Sequence, residues 1–214
     1  MKKRLLSLLF ILSIVGVGFA QSSKHPYVDL GLPSGLLWAT CNVGAEAPEE
    51  CGTSFAWGET YSKSEFEWKN YKFCKDPLLS KKKLTKYCSW QDIAYKKKTD
   101  RLTVLQKVDD AAADNWGDGW RMPTKKEWKE LVENTVQERT TVNGVHGFRF
   151  KAPNGKSIFL PDKRYGGGFY WSSSLADDNP TRASILYWID QQKVHIDKAE
   201  RCLGYLIRPV RDAK

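Results

Sequence analysis

Histidine and methionine are scarce, with three His and two Met in 214 residues. His25, His146 and His195 lack the His-x-x-x-His spacing that puts two ligands on one helix face, so nothing supports a zinc hydrolase. There is no Cys-x-x-Cys pair, which argues against a structural zinc site. Gly-x-Ser-x-Gly is missing as well. Ser172, Ser173 and Ser174 can be matched on paper with His146 or His195 and an Asp, but no nucleophile elbow supports that triad. The glycines at 166–168 are not followed by Lys-Ser/Thr and lead into a strand pattern, so they form a turn and not a phosphate loop. Beyond residue 20 no apolar run approaches the roughly 18 residues needed to span a bilayer. No nucleic-acid-binding motif occurs.

What is present is globular composition, 41% hydrophobic and 28% charged, and at roughly 150 residues per domain the length allows little more than one domain. Nine Trp, nine Tyr and nine Phe supply enough ring surface for a large core, a binding surface or both. Lys2, Lys3 and Arg4 precede apolar residues 5–20, which end on Gly18-Phe19-Ala20 with small residues three and one positions before Gln21. That is the pattern of a secretory signal, so residues 1–20 are predicted to be removed and 21–214 to form a single exported domain. The destination is periplasmic, cell-surface associated or secreted, with no membrane span after cleavage. Without the signal the net charge of +9 falls to about +6. Lysines at 81–83, Lys86 and 96–98 concentrate the excess; an acidic polysaccharide or nucleic acid could meet them, but a solvated loop is the simpler reading.

The five cysteines are an odd number in a disulfide-permissive compartment, and sequence does not choose among their pairings. Cys74 with Cys88 is the first expectation, because that bridge would close a Lys-rich connector with little apolar content of its own.

Residues 28–32, 36–43 and 54–57 read as short strands, and 58–107 as a loop-rich insert without periodicity. Asp109 is predicted to cap a short helix that ends at Gly117. A second helix starts at Thr124, whose hydroxyl and the Glu127 carboxylate form a capping box, with Trp128, Leu131 and Val132 on one face. Strand patterns follow at 147–151, 157–160, 169–173, 184–189, 193–196 and 203–210, with turns at Asn143-Gly144 and Asn154-Gly155. Two helices among many short strands describe an α+β domain.

The segment Trp116-Gly117-Asp118-Gly119-Trp120-Arg121-Met122-Pro123-Thr124-Lys125-Lys126-Glu127-Trp128 resembles the Arg-Leu-Pro-Thr-Glu-Ala-Glu-Trp signature of formylglycine-generating sulfatase-modifying proteins. It is more similar to the Fibrobacter succinogenes major paralogous domain of exported Bacteroidetes proteins. Tyr27-Val28-Asp29-Leu30-Gly31-Leu32-Pro33-Ser34-Gly35-Leu36-Leu37-Trp38-Ala39, Phe169-Tyr170-Trp171-Ser172-Ser173-Ser174 and Arg208-Pro209-Val210 also fit that family. The resemblance implies a C-type-lectin-like fold: two short helices packed on short, mostly antiparallel strands, terminal strands paired, and long loops carrying the ligand site. Within the signature, Trp116, Trp120, Arg121, Pro123, Thr124, Glu127 and Trp128 are read as structural, the alternative being Arg121 stacked on a neighbouring ring.

Calcium-dependent lectins take oxygen ligands from a Glu-Pro-Asn loop and a Trp-Asn-Asp strand. Here Asn179-Pro180 reverses the first order and Ile189 stands where the second needs Asn. Calcium binding by Asp177, Asp178 and Asp190 is therefore unsupported, and no cofactor or metal is expected. A sugar can still be held by rings and polar groups, and Tyr170, Trp171, Asp177, Asp178, Asn179, Arg182, Tyr187, Trp188, Asp190 and Gln191 are of the right types. Strand alternation places one member of each pair, Tyr170/Trp171 and Tyr187/Trp188, in the core.

The enzyme reading inherits a late Cys pair from the sulfatase-modifying scaffold, but only Cys202 stands late here. The sequence thus favours a non-catalytic binding module for a glycan or protein ligand, acting through loops near 170–191. An enzyme on that scaffold and a structural subunit of a surface assembly are the alternatives.

Overall fold

The first turn of a helix leaves amide donors without partners, and a short acidic side chain just before it supplies the acceptor. The Asp110 carboxylate accepts from the amides of Ala112 (2.9 Å) and Ala113 (3.1 Å), and helix α1 follows over Ala111–Trp116. Gly117, at φ 62°, ends it. The cap thus falls one residue later than expected, because the Asp109 carboxylate is turned instead to Lys72, Lys86 and Tyr87. Helix α2, Lys125–Glu133, starts on the predicted capping box: Thr124 Oγ1 accepts from the Glu127 amide, and the Glu127 carboxylate accepts from the Thr124 amide at 2.7 Å. Trp128 and Leu131 bury its inner face.

The computed structural model describes residues 25–76, 83–117, 119–163, 166–189 and 193–213. The expected signal, Lys81, Lys82, Asp118, Asp190 and Gln191 lie outside the described residues. Among those described, two α-helices accompany three antiparallel three-stranded sheets, an α+β architecture. None of the helices is long and apolar enough to cross a membrane.

Strands β1 (Tyr27–Asp29) and β2 (Leu37–Ala39) pair antiparallel, and β2 also pairs with the last strand, β9 (Val210–Arg211). The two ends of the described chain therefore share one sheet. Arg208 fastens this union from inside: fully buried, it donates to Asn42 Oδ1 (2.9 Å) and to the carbonyls of Ala39 (3.1 Å), Thr40 (2.7 Å) and Phe159 (2.9 Å). Burial lowers its pKa to about 10, and carbonyl dipoles satisfy the cation. The 203–210 strand is thus shorter than expected. Likewise 54–57 is only a bridge, Phe55 to Tyr205.

A second sheet holds β3 (Val136–Val142), β4 (Val145–Lys151) and β5 (Ser157–Pro161). Sequence patterning missed β3, whose residues are mostly polar and none of which is fully buried. Asn143 (φ 46°) and Gly144 (φ 83°) make its hairpin turn, with both central residues in the left-handed region that matches strand twist.

The third sheet holds β6 (Gly168–Leu175), β7 (Arg182–Trp188) and β8 (His195–Glu200). Its strands β6 and β7 separate two apolar clusters. Trp171 and Ile185 face one cluster with Phe55, Trp57, Tyr71, Phe73 and Tyr87; Tyr170, Leu186 and Trp188 face the other with Trp38, Trp128, Phe148 and Phe150.

Between 58 and 107 the described residues form 3-10 turns and isolated bridges, with no α-helix or extended strand. The insert is nonetheless anchored, since Trp68, Tyr71, Phe73, Leu84, Tyr87 and Ala94 enter the first cluster. Arg201 organises its interior. Its fully buried guanidinium donates to Tyr71 Oη (2.9 Å) and to the carbonyls of Tyr87 (3.1 Å), Pro180 (2.9 Å) and Lys86 (3.1 Å). It also lies 4.8 Å from the Trp57 ring centroid, so rings and carbonyls surround the charge.

The structure contains no disulfide between the five cysteines, the expected Cys74–Cys88 pair included. Each of those thiols is directed to a carbonyl of its own loop, Cys74 to Asp76 (3.3 Å) and Cys88 to Trp90 (3.4 Å). Leu84, which lies between them in sequence, pairs through its backbone with Ile93 and Tyr95.

Candidate functional site

Among the described residues from 116 to 128, several make contacts within the protein. Arg121 holds Glu127 through two hydrogen bonds (2.8 and 2.7 Å), and its backbone pairs with Val210. Burial works against the Glu127 charge, but Arg121 and the Thr124 amide outweigh it and keep the carboxyl below its ordinary range. The guanidinium over Trp120 belongs to Arg211 (5.5 Å), and Trp116 stacks on His25 at 3.9 Å. Trp128 is buried and donates to the Trp171 carbonyl, while Pro123 accepts from the Ser173 amide.

Among the proposed ligand aromatics, Tyr170, Trp171 and Trp188 are corrected to core residues. Each is fully buried with its polar atom bonded inside: Tyr170 to the Pro161 carbonyl (2.8 Å), Trp171 to the Phe55 carbonyl (2.8 Å) and Trp188 to Asp162 (2.7 Å). Alternation holds, but a strand with a core on each face buries both members of a pair. Tyr187 is half-buried, lying 6.0 Å from Phe169 and 5.6 Å from His195 between ring centroids.

The polar candidates have a different setting. Asp177 and Asp178 are exposed in the β6–β7 connection; Lys125 donates to Asp177 (2.6 Å) and Lys198 to Asp178. The Lys198 hydrogen bond lowers the Asp178 pKa. Asn179 closes the turn, accepting from Thr181 N (2.9 Å) and Thr181 Oγ1 (2.8 Å), and Arg182 is exposed beyond it.

Around these groups lies a cleft of about 270 Å³, lined by Lys125 from α2, Ala176, Asp177 and Asp178 from the connection, Ser184 from β7, and Asp197 and Lys198 from β8. Lys125, Ser184, Asp197 and Lys198 carried no local signal. They are brought together only by α2 crossing the sheet and by the β7–β8 register, which sets Ser184 opposite Lys198. Larger concavities beside α2, of about 790 and 580 Å³, contain none of the predicted ligand residues. The second does include Thr124 and Glu127, which the capping box already uses.

The serines of β6 are engaged in local hydrogen bonds. Ser172 Oγ accepts from the Ser174 amide (3.1 Å) and Ser174 Oγ from the Lys125 amide (3.1 Å), whereas His146 is bonded to Thr141 (2.8 Å). Among the described residues no group of three or more His, Cys, Asp or Glu is placed to hold a metal ion. Cys51, whose thiol donates to the Asp162 carbonyl (3.1 Å), has its pKa raised by burial, which disfavours the thiolate. Comparison of the chain with protein-family models, curated proteins and solved structures finds no match.

Proposed function

We propose that this chain is a non-catalytic C-type-lectin-like module, exported from the cytoplasm, that holds a glycan in the cleft between α2, the β6–β7 connection and β8. The observation carrying this reading is the convergence of Lys125, Asp177, Asp178, Asp197 and Lys198 on one concave site. Lysines donate and carboxylates accept, so a sugar hydroxyl meets a partner for each of its roles. The volume falls just below the roughly 300 Å³ at which small-ligand sites begin, and suits one sugar unit of a chain. Pairing of β2 with both β1 and the last strand supports the lectin-like assignment and the resemblance to the exported paralogous-domain family.

The test is binding of the purified protein to a broad glycan panel, once with calcium and once with chelator. Saturable binding that survives chelator and falls at least about tenfold in Lys125→Ala/Asp197→Ala is expected, from loss of two charge-assisted hydrogen bonds. A folded protein that binds no glycan in either condition overturns the glycan reading and redirects the search to protein ligands. Loss in chelator would reinstate calcium.

A further inference from the structure

A second surface, remote in sequence from the cleft, lies on the insert. The loop from Cys88 to Asp100 is closed at its neck: the Asp100 amide donates to the Cys88 carbonyl (3.2 Å), and the Asp100 carboxylate accepts from the amides of Tyr87 (2.6 Å) and Cys88 (3.0 Å). Ala94, buried, plugs the loop onto Leu84, and the Tyr95 amide pairs with the Leu84 carbonyl at 2.7 Å. A small residue and backbone bonds therefore do the anchoring. Trp90 and Tyr95 are left 47% and 38% exposed, although rings of that size are ordinarily spent on burial.

Cations are dense in the same stretch of chain. Between 83 and 101 stand Lys83, Lys86, Lys96, Lys97, Lys98 and Arg101, against Asp92 and Asp100. The Asp100 carboxylate is engaged by the neck amides, and Lys86 is committed to Asp109 at 2.5 Å. Lys96, Lys97, Lys98 and Arg101 are exposed, and the Lys96 ammonium lies 5.5 Å from the Tyr95 ring centroid.

Backbone conformation adds an independent observation. Lys96 (φ 52°), Lys97 (φ 57°) and Arg101 (φ 54°) occupy the left-handed region, which disfavours any residue with a Cβ. Glycine would relieve that strain at each position, yet each carries a cation. Buried Tyr87 (φ 57°) at the neck is held there by packing, but Lys96, Lys97 and Arg101 are exposed, so among the described residues three of the five non-glycine residues with positive φ are exposed cations of this one stretch.

We propose that this exposed loop binds an anionic polysaccharide: Lys96, Lys97, Lys98 and Arg101 meet its carboxylates or sulfates while Trp90 and Tyr95 pack against the apolar faces of its sugars. It goes beyond the cleft reading and shares with it only the expectation of export, which is also why a polysaccharide is favoured here over a nucleic acid.

The probe is polygalacturonate, with neutral dextran and oligothymidylate as parallel arms, each titrated at several salt concentrations. Salt-dependent binding to polygalacturonate and none to dextran is expected. Lys96→Gly/Lys97→Gly should lower affinity about tenfold or more while holding or raising the thermal midpoint, because strain is removed together with charge. Trp90→Ala should lower affinity several-fold with an unchanged salt slope. Lys125→Ala/Asp197→Ala should leave polygalacturonate binding intact, so the two sites fail separately. Unchanged affinity in the glycine double variant overturns the proposal. Tighter binding to oligothymidylate than to polygalacturonate, or indifference to Trp90→Ala, overturns it as well.

Discussion

Asp109 and Asp110 are adjacent and both buried, but the pKa values of their carboxyls are shifted in opposite directions. Burial acts against both charges. At Asp109, Lys86 (2.5 Å), Tyr87 (2.6 Å) and Lys72 (2.9 Å) overcome it and the pKa falls. At Asp110 burial prevails over three amide donors, those of Met122, Ala113 and Ala112, and the pKa rises.

The two therefore tilt stability in opposite directions with pH. With its folded pKa lowered, Asp109 contributes stability that is present above the ordinary Asp value of about 3.9 and is lost as pH falls through the folded value. Asp110, raised, contributes stability below the ordinary value that is lost as pH rises through its folded value. Asp109→Asn is expected to cost about 1–3 kcal/mol at pH 7 and to flatten the acid limb of the stability profile. Urea midpoints measured between pH 3 and pH 7 check this; an acid limb as steep as that of the parent would contradict it.

Arg201 is surrounded by acceptors that a lysine cannot reach together. Arg201→Lys keeps the charge but loses the planar fork that meets Tyr71, Tyr87, Pro180 and Lys86 at once. We expect a loss of about 2–4 kcal/mol, read from denaturant unfolding. A midpoint unchanged from the parent would show that the cage tolerates an ammonium.

Gly168 owes its place to a ring. A Cβ there would stand 2.1 Å from Trp188 Cζ2, its neighbour across the β6–β7 pair, so Gly168→Ala must displace the indole or the strand. The expected cost is about 1–3 kcal/mol, with a changed tryptophan fluorescence spectrum. Retained stability and spectrum would mean that the strand yields freely.

Trp171→Ala and Trp188→Ala separate core from binding surface. Both are expected to lower stability by about 3–5 kcal/mol, since each removes a fully buried ring. Under conditions where the variants remain folded, glycan affinity should match the parent. Loss of affinity without loss of stability would return these rings to the binding site.

Local signals in the sequence were reliable wherever the chemistry was local. The capping box of Thr124 and Glu127, the Gly117 helix stop and the Asn143-Gly144 hairpin are each settled within four residues, and the structure contains all three. Strand β3 escaped because its polar side chains give no alternation to detect. The shift of the α1 cap from Asp109 to Asp110 was also invisible, because Lys72 and Lys86, which claim Asp109, arrive from the insert.

The candidate site shows the same division. Asp177, Asp178 and Asn179 were legible as an acidic turn, while Tyr170, Trp171 and Trp188 were misplaced, since only the packing of a cluster on each face of β6 and β7 buries them. By itself the sequence determined the α+β class, the start of α2 and the turns, because capping and turn geometry depend on neighbours along the chain. Tertiary structure alone decided that Lys125, Ser184, Asp197 and Lys198 share a cleft, and that Arg201 and Arg208 are enclosed by carbonyls. Those outcomes depend on residues far apart in sequence meeting in space, which no local pattern encodes.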